Sequence, residues 1–140
     1  ENDILIRTNA HQVNNLDDLL EKSDFISLHC PGGDENHHLI STKQFEKMKN
    51  SAILVNTARG EVVDDTALIS ALETKQIAAV GLDVFNNEPN INPNLIKFEN
   101  AILLPHLGSA TQETREAMGF RVLDNIADFF EGKIPRDKVA

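Results

Sequence analysis

The sequence predicts an α/β protein built on a parallel sheet, and three observations carry that expectation. Four apolar segments of strand length recur along the chain: FISLHCP (25–31), AILVNTA (52–58), AAVGLDVF (78–85) and AILLPH (101–106). They are continuously apolar rather than alternating, the pattern of strands covered on both faces in a parallel sheet. Segments with helical spacing separate the first three and follow the fourth. The order reads strand, helix, strand, helix, strand, loop, strand, helix.

Each element has a local reason. Leu16, Leu19 and Leu20 lie at helical spacing in LDDLLEK and predict a short amphipathic helix before the first strand. Pro31 and Gly32-Gly33 stop that strand. Ser41 with Gln44 three residues later predicts a capping box, with Phe45 and Met48 on the helix's apolar face. Arg59-Gly60 ends the second strand. Asp64-Asp65 opens the next helix, whose stripe is Ala67, Leu68, Ala71 and Leu72. The Asn- and Pro-rich stretch NNEPNINPN is a loop. Ser109 and Gln112 predict a second capping box, followed by a stripe of Met118, Val122, Ile126 and Phe129 and a stop at Gly132. Residues 1–15 show one short apolar stretch, Ile4-Leu5-Ile6, and remain unassigned.

Composition narrows the function classes. The chain has 140 residues, one domain's worth or less, and its 41% hydrophobic and 25% charged residues are those of a folded globular chain. Thirteen Lys and Arg against 22 Asp and Glu give a net charge of −9, which disfavours a nucleic-acid surface. The lack of Trp and Tyr argues against a stacking platform for bases. No apolar run is long enough to cross a bilayer, and Glu1-Asn2-Asp3 offers no basic start of a signal peptide. A single cysteine, Cys30, excludes an internal disulfide and fits a reducing compartment. A cytoplasmic location, with neither nucleic acid nor membrane as a partner, is the expectation.

In an open, doubly wound sheet of this kind, ligands bind beyond the carboxyl ends of the strands. Following the four strands stand His29-Cys30-Pro31, then Asn56-Thr57-Ala58-Arg59-Gly60, then Asp83 and Glu88-Pro89, then Pro105-His106-Leu107-Gly108. An Arg, an Asp, a Glu and a His thus come from separate strand ends and are expected on one rim. Arg offers a planar fork that grips a carboxylate bidentately. His titrates near neutrality and passes a proton to or from a hydroxyl, and a nearby carboxylate favours a charged imidazole. Such a set suits proton transfer at a carbonyl beside a carboxylate, and a nicotinamide cofactor would supply the redox partner. No metal site is expected. His11 and the His37-His38 pair lack further ligands at metal spacing, and Asp17-Asp18 and Asp64-Asp65 read as helix-start carboxylates.

The segments NTARGEVVDDTALISAL, GLDVFNNEP and LLPHLGSAT closely resemble, in order and separation, the signatures of the D-isomer-specific 2-hydroxyacid dehydrogenases. The resemblance runs from about Leu16 to the end, and PHLGSATQETREAMG is most similar to the glyoxylate and hydroxypyruvate reductase branch. It implies an NAD- or NADP-dependent oxidoreductase acting on a small 2-keto or 2-hydroxy acid. By this resemblance Arg59 holds the substrate carboxylate and polarises the keto oxygen, His106 is the acid/base, and Glu88 pairs with the histidine. Asp83 faces the nicotinamide side of the cofactor. Cys30, Pro31, Thr57, Ala58 and Gly108 line it, beside Arg59 and His106. Homodimerisation of the full-length protein is implied on the same ground.

Two departures stand out. Asn86 occupies a position where the family usually has an acidic or bulky residue, a difference taken as neutral. No GxGxxG is present, because Gly32-Gly33 is not followed by the third glycine. The expectation is therefore the carboxyl-terminal part of a Rossmann-type doubly wound sheet. Its divisions are an unassigned start (1–15), the nucleotide-binding part (16–112), and a last helix and tail (113–140) packing toward a substrate domain outside the chain. Half a sheet leaves an apolar edge and face uncovered. One alternative is a dinucleotide-gated partner-binding module resembling the carboxyl-terminal-binding-protein corepressors. Formate dehydrogenases typically show Gln where Glu88 stands, which argues against that branch.

Overall fold

The computed structural model describes residues 7–139, and the Ile4-Leu5-Ile6 stretch lies outside them. The described chain divides between Pro105 and His106 into two compact units. The first contains α1 (Leu16–Lys22), β1 (Phe25–Leu28), α2 (Thr42–Lys47), β2 (Ile53–Asn56), α3 (Asp65–Glu73), β3 (Ala79–Leu82) and β4 (Ala101–Leu103). Single 3-10 turns intervene at Asp34–Asn36, Gly60–Val62 and Leu95–Lys97. The second unit holds one long helix, α4 (Gln112–Phe130), and its tail.

The four strands form one parallel sheet in the order β1-β2-β3-β4. Its register aligns Ile26, Leu54, Val80 and Ala101 in one row and Leu28, Asn56, Leu82 and Leu103 in another. Those rows point to the helices. Leu20 of α1, Phe45 of α2, and Ala67, Leu68, Ala71 and Leu72 of α3 join them in one core, with Leu95 from the loop before β4. Every stripe residue expected on α3 is therefore buried.

The other face is uncovered among the described residues, although the strands carry the apolar pattern of a sheet covered on both sides. Phe25 is 75% exposed and Ile102 68% exposed, while Ile53, Val55, Ala79 and Gly81 on the same face are only partly buried. The cause is topological. Strands added one after another in the same direction, with right-handed crossovers, place every connection on the same side. Only a reversal in strand order would bring helices to the opposite face, and none occurs among the described strands. The uncovered apolar face expected of half a sheet is what is seen.

The strands are also shorter than their apolar runs, three or four residues each. Pairing stops where the chain turns to build loops at the carboxyl edge, so Thr57-Ala58 and Asp83-Val84-Phe85 belong to those loops.

Caps set the helix starts. Asp64 accepts the N–H groups of Thr66 and Ala67 and opens α3. At α2, Gln44 Oε1 accepts the Ser41 N–H, completing the expected capping box, and Ser41 Oγ also donates to Asp64. The second expected box is not the one used. Thr111, not Ser109, caps α4, its Oγ1 accepting the Thr114 N–H. Gly132 follows the end of α4 with φ +73°, the left-handed position where a glycine costs least. The tail folds onto α4 through a two-pronged Arg121–Asp137 pair and contacts from Arg136 to Asp124 and Asp128. Arg121 and Asn125 hold the Asp137 carboxyl below its ordinary pKa. No residue of α4 is buried, so the Met118, Val122, Ile126 and Phe129 stripe contributes no core among the described residues.

Candidate active site

The carboxyl ends of β1, β2 and β3 carry loops that are fastened to one another, and the fastening begins with one buried polar side chain. Asn56, 1% exposed, closes β2. Its Oδ1 accepts the Ala58 N–H at 3.0 Å and its Nδ2 donates to the Arg59 carbonyl at 2.9 Å. The NTARG turn is thereby wound around a single amide whose donor and acceptor are both used. Buried polar groups are tolerated only when satisfied in this way. The consequence is a fixed backbone at Arg59, whose exposed side chain donates Nη1 to the Ala58 carbonyl at 2.7 Å.

Gly60 then meets the next loop. A Cβ added there would fall inside 3.0 Å of the Phe85 carbonyl carbon and oxygen and of Asn86 N, all backbone. Only glycine allows this approach. Asn86 secures the contact from the other side, its Nδ2 donating to Val63 O and to Asp65 Oδ1. The departure taken as neutral in the sequence is therefore a structural tie between the β3 loop and the start of α3.

The remaining expected residues of the first unit fall on the same edge. Asp83, 6% exposed, directly follows β3, and its N–H donates to the Asn56 carbonyl at 3.0 Å. Glu88 Oε1 accepts the Phe85 N–H at 2.8 Å, closing the turn that carries it. The Glu88–Pro89 peptide is cis. Beyond β1, Cys30 packs in part against the core, Pro31 is exposed, and the ring of His29 shares a hydrogen bond with Ser27 Oγ. Thr57 is exposed and Ala58 buried at the end of β2. Arg59, Asp83, Glu88, Pro31 and Thr57 thus follow the carboxyl ends of three adjacent strands.

His106 is the first residue of the second unit, three positions beyond β4. It is exposed, with φ +55°, a left-handed backbone uncommon outside glycine. Just after it, the Ala110 N–H closes a turn on the Leu107 carbonyl, with Gly108 inside. Among the described residues, no three His, Cys, Asp or Glu side chains cluster as ligands for a metal. His37 and His38 stack on each other 3.9 Å apart, and His38 Nδ1 lies 3.9 Å from Asp64. No described helix is long and apolar enough to cross a membrane.

Sequence reasoning missed Asn56, Asn86 and Glu61, whose carboxylate accepts the Gly33 N–H; none of the three was singled out as a site residue. Asn56 was detectable in principle: a polar side chain closing an apolar strand must find partners. The roles of Glu61 and Asn86 depend on contacts 21 to 28 residues away along the chain, and no local pattern signals them.

Comparison with known proteins decides the family. The model of the D-isomer specific 2-hydroxyacid dehydrogenase NAD-binding domain matches residues 2–108. The chain belongs to that family. It is 48% identical over 134 residues to glyoxylate/hydroxypyruvate reductase B of Escherichia coli O6:H1, an alignment that takes in 95% of this chain and 41% of the relative. Among solved structures, the holo form of Rhodotorula graminis D-mandelate dehydrogenase superposes with a TM-score of 0.92 at 33% identity, covering 100% of this chain and 42% of that one. The NADPH-dependent glyoxylate/hydroxypyruvate reductase of Sinorhizobium meliloti, solved with NADP and malonate, superposes at 0.84 and 36% identity over 86% of this chain and 38% of that one. The chain spans about two-fifths of the length of these relatives.

Proposed function

We propose that the full-length protein containing this chain is an NAD- or NADP-dependent oxidoreductase that reduces a small 2-keto acid, such as glyoxylate or hydroxypyruvate, to the 2-hydroxy acid. The observation that carries this reading is the row of fastened loops beyond β1, β2 and β3, which fixes the backbone at Arg59 and closes the turn bearing Glu88. The similarity to glyoxylate/hydroxypyruvate reductases supports the choice of substrate class.

The residues of this edge suit a dinucleotide. Pro31 and Thr57 are exposed at the ends of neighbouring strands, Ala58 adds little bulk, and Asp83 places a buried carboxylate where β3 stops. Cys30, Pro31, Thr57, Ala58, Asp83 and Gly108 would hold the cofactor, together with Arg59 and His106. When bound, the nicotinamide supplies the hydride that reduces the carbonyl carbon. Arg59 binds the substrate carboxylate through its planar fork and polarises the keto oxygen. His106 donates the proton that this oxygen gains, and Glu88 is the carboxylate that pairs with it by the family resemblance. Residues 113–140 pack toward the substrate domain in this reading. A homodimer in the cytoplasm is part of it, on the strength of the family resemblance.

The test is oxidation of NADH or NADPH by the full-length protein with glyoxylate or hydroxypyruvate, followed at 340 nm. Turnover with either acid is expected. Dinucleotide binding without turnover on any 2-keto acid would overturn the reading in favour of a partner-binding module.

A further inference from the structure

The loop from Gly33 to Ile40 is strapped to residues 61–64 at both ends, by backbone bonds at His38 and Ile40 and by the Glu61 side chain at Gly33. The His38 N–H donates to the Glu61 carbonyl at 2.8 Å, the Ile40 N–H to Val62 O at 3.0 Å, and the Asp64 N–H to Ile40 O at 3.0 Å. Ile40 and Val63 form an isolated parallel bridge. All of these are backbone contacts that many sequences could make. The contact at the other end is not. There the Glu61 carboxylate reaches across and accepts the Gly33 N–H at 2.6 Å. A carboxylate accepting a backbone N–H makes a short, charge-assisted bond, stronger than one between neutral groups.

Gly32 is shaped around the same carboxylate. A Cβ there would fall inside 3.0 Å of Glu61 Oε1 and 3.1 Å from Arg59 Cγ. The bare backbone at position 32 thus lets the Glu61 carboxylate and the aliphatic stem of Arg59 lie together against the β1 loop. The two loops on either side, Cys30-Pro31 and Thr57-Ala58-Arg59, are those assigned to cofactor and substrate carboxylate above. Val62 and Val63 are buried immediately after Glu61, so its backbone cannot swing to compensate if the carboxylate is lost.

We propose that Glu61 is a positioning residue: by latching the Gly33 amide it fixes the β1 loop against the stem of Arg59 and sets where the guanidinium stands for its carboxylate ligand. This rests on the role proposed for Arg59. It assigns Glu61 no contact with substrate or cofactor. An acceptor oxygen at this place is what latches the loop, so the neutral amide oxygen of a glutamine at 61 can accept the same N–H, in a weaker bond than the carboxylate makes.

The test uses the full-length protein carrying Glu61→Ala, Glu61→Gln, Gly32→Ala, and Gly32→Ala with Glu61→Ala. Three quantities are read: hydrogen exchange at the Gly33 amide, the KM for glyoxylate against kcat, and the dissociation constant for NADPH or NADH. Glu61→Ala is expected to speed Gly33 exchange and raise the KM for glyoxylate by about tenfold, the scale of one lost hydrogen bond. Glu61→Gln recovers most of both losses, since the amide oxygen keeps the hydrogen bond in a weaker, neutral form. Gly32→Ala, by pushing the carboxylate aside, reproduces the defect of Glu61→Ala, and the double variant is no worse than either single one. Unchanged Gly33 exchange in Glu61→Ala would overturn the latch. Faster exchange with unaltered KM and dinucleotide affinity would overturn its positioning role, as would a Glu61→Gln protein as impaired as Glu61→Ala. Absence of turnover in the unsubstituted protein would refute the proposed reaction instead, and Gly33 exchange with dinucleotide affinity would still decide the latch.

Discussion

Gly60 offers the sharpest test of how the site is held, because its neighbours cannot yield cheaply. In Gly60→Ala the new methyl group falls inside 3.0 Å of Phe85 C and O and Asn86 N. Carbon atoms in ordinary contact sit roughly 3.5–4.0 Å apart, so the loops must separate by at least ~0.5–1 Å. The atoms in the way are peptide backbone, and Asn86 is tied down at Val63 and Asp65. No side chain can rotate clear. Overpacking of this kind costs ~1–3 kcal/mol of stability, and the rigid surroundings put Gly60→Ala at the upper end. The two backbones forced apart are Gly60, one residue after Arg59, and Phe85, three residues before Glu88. A misplacement near 1 Å costs on the order of 10²-fold in rate. Steady-state kinetics with glyoxylate and a thermal melt of the full-length variant read both effects. An enzyme that melts and turns over like the unsubstituted protein would refute the claim that this approach sets the site.

Other expectations concern acid/base chemistry and pH. His106→Ala is expected to lower kcat by at least ~10²-fold, the range of general acid–base catalysis, with Glu88→Gln slower than the unsubstituted enzyme as well; full activity in His106→Ala would remove the histidine from the reaction. For Asp64, burial works against the charged carboxylate, but the Ala67 N–H, the Ser41 hydroxyl, the Thr66 N–H and His38 outweigh it and hold the pKa below the ordinary range. A folded-state pKa below the unfolded one means the cap stabilises fully above about pH 4–5 and loses its effect as pH falls through the lowered value. Asp64→Ala should therefore cost ~0.5–2 kcal/mol near neutrality and progressively less below about pH 4. Denaturant melts at several pH values measure this, and a cost as large at pH 3 as at pH 6 contradicts the assignment.

How much of this was legible in the sequence depended on the range of the interaction. Local chemistry read through: the α3 stripe of Ala67, Leu68, Ala71 and Leu72 is buried, Asp64 caps it, and Gln44 closes on Ser41. Parallel pairing followed from the continuously apolar runs and the alternation of strands with helical segments. The lengths did not, because an apolar run does not say where pairing ends. Asn56 and Asp83 are buried like strand residues yet serve the loops. The start of α4 shows the limit of a motif, since Ser109 and Thr111 both have capping chemistry and only Thr111 uses it. Coverage of one face was hidden for another reason. Phe25 and Ile102 are as apolar as Ile26 and Leu54, and hydrophobicity alone cannot say which face the crossovers will cover. Within the site, residue types at strand ends were readable, whereas the ties through Glu61 and Asn86 exist only once three loops are folded together.

The guanidinium of Arg59 is the point on which the functional account turns, and replacing its fork by a point charge tests it most directly. In the full-length protein, Arg59→Lys keeps the positive charge and removes the bidentate geometry. Its kcat/KM for glyoxylate is expected to fall by at least ~10-fold, carried largely by KM, since one of two parallel charge-assisted hydrogen bonds is lost, with NADPH or NADH affinity nearly unchanged. A kcat/KM for Arg59→Lys equal to that of the unsubstituted enzyme would contradict the role proposed for Arg59.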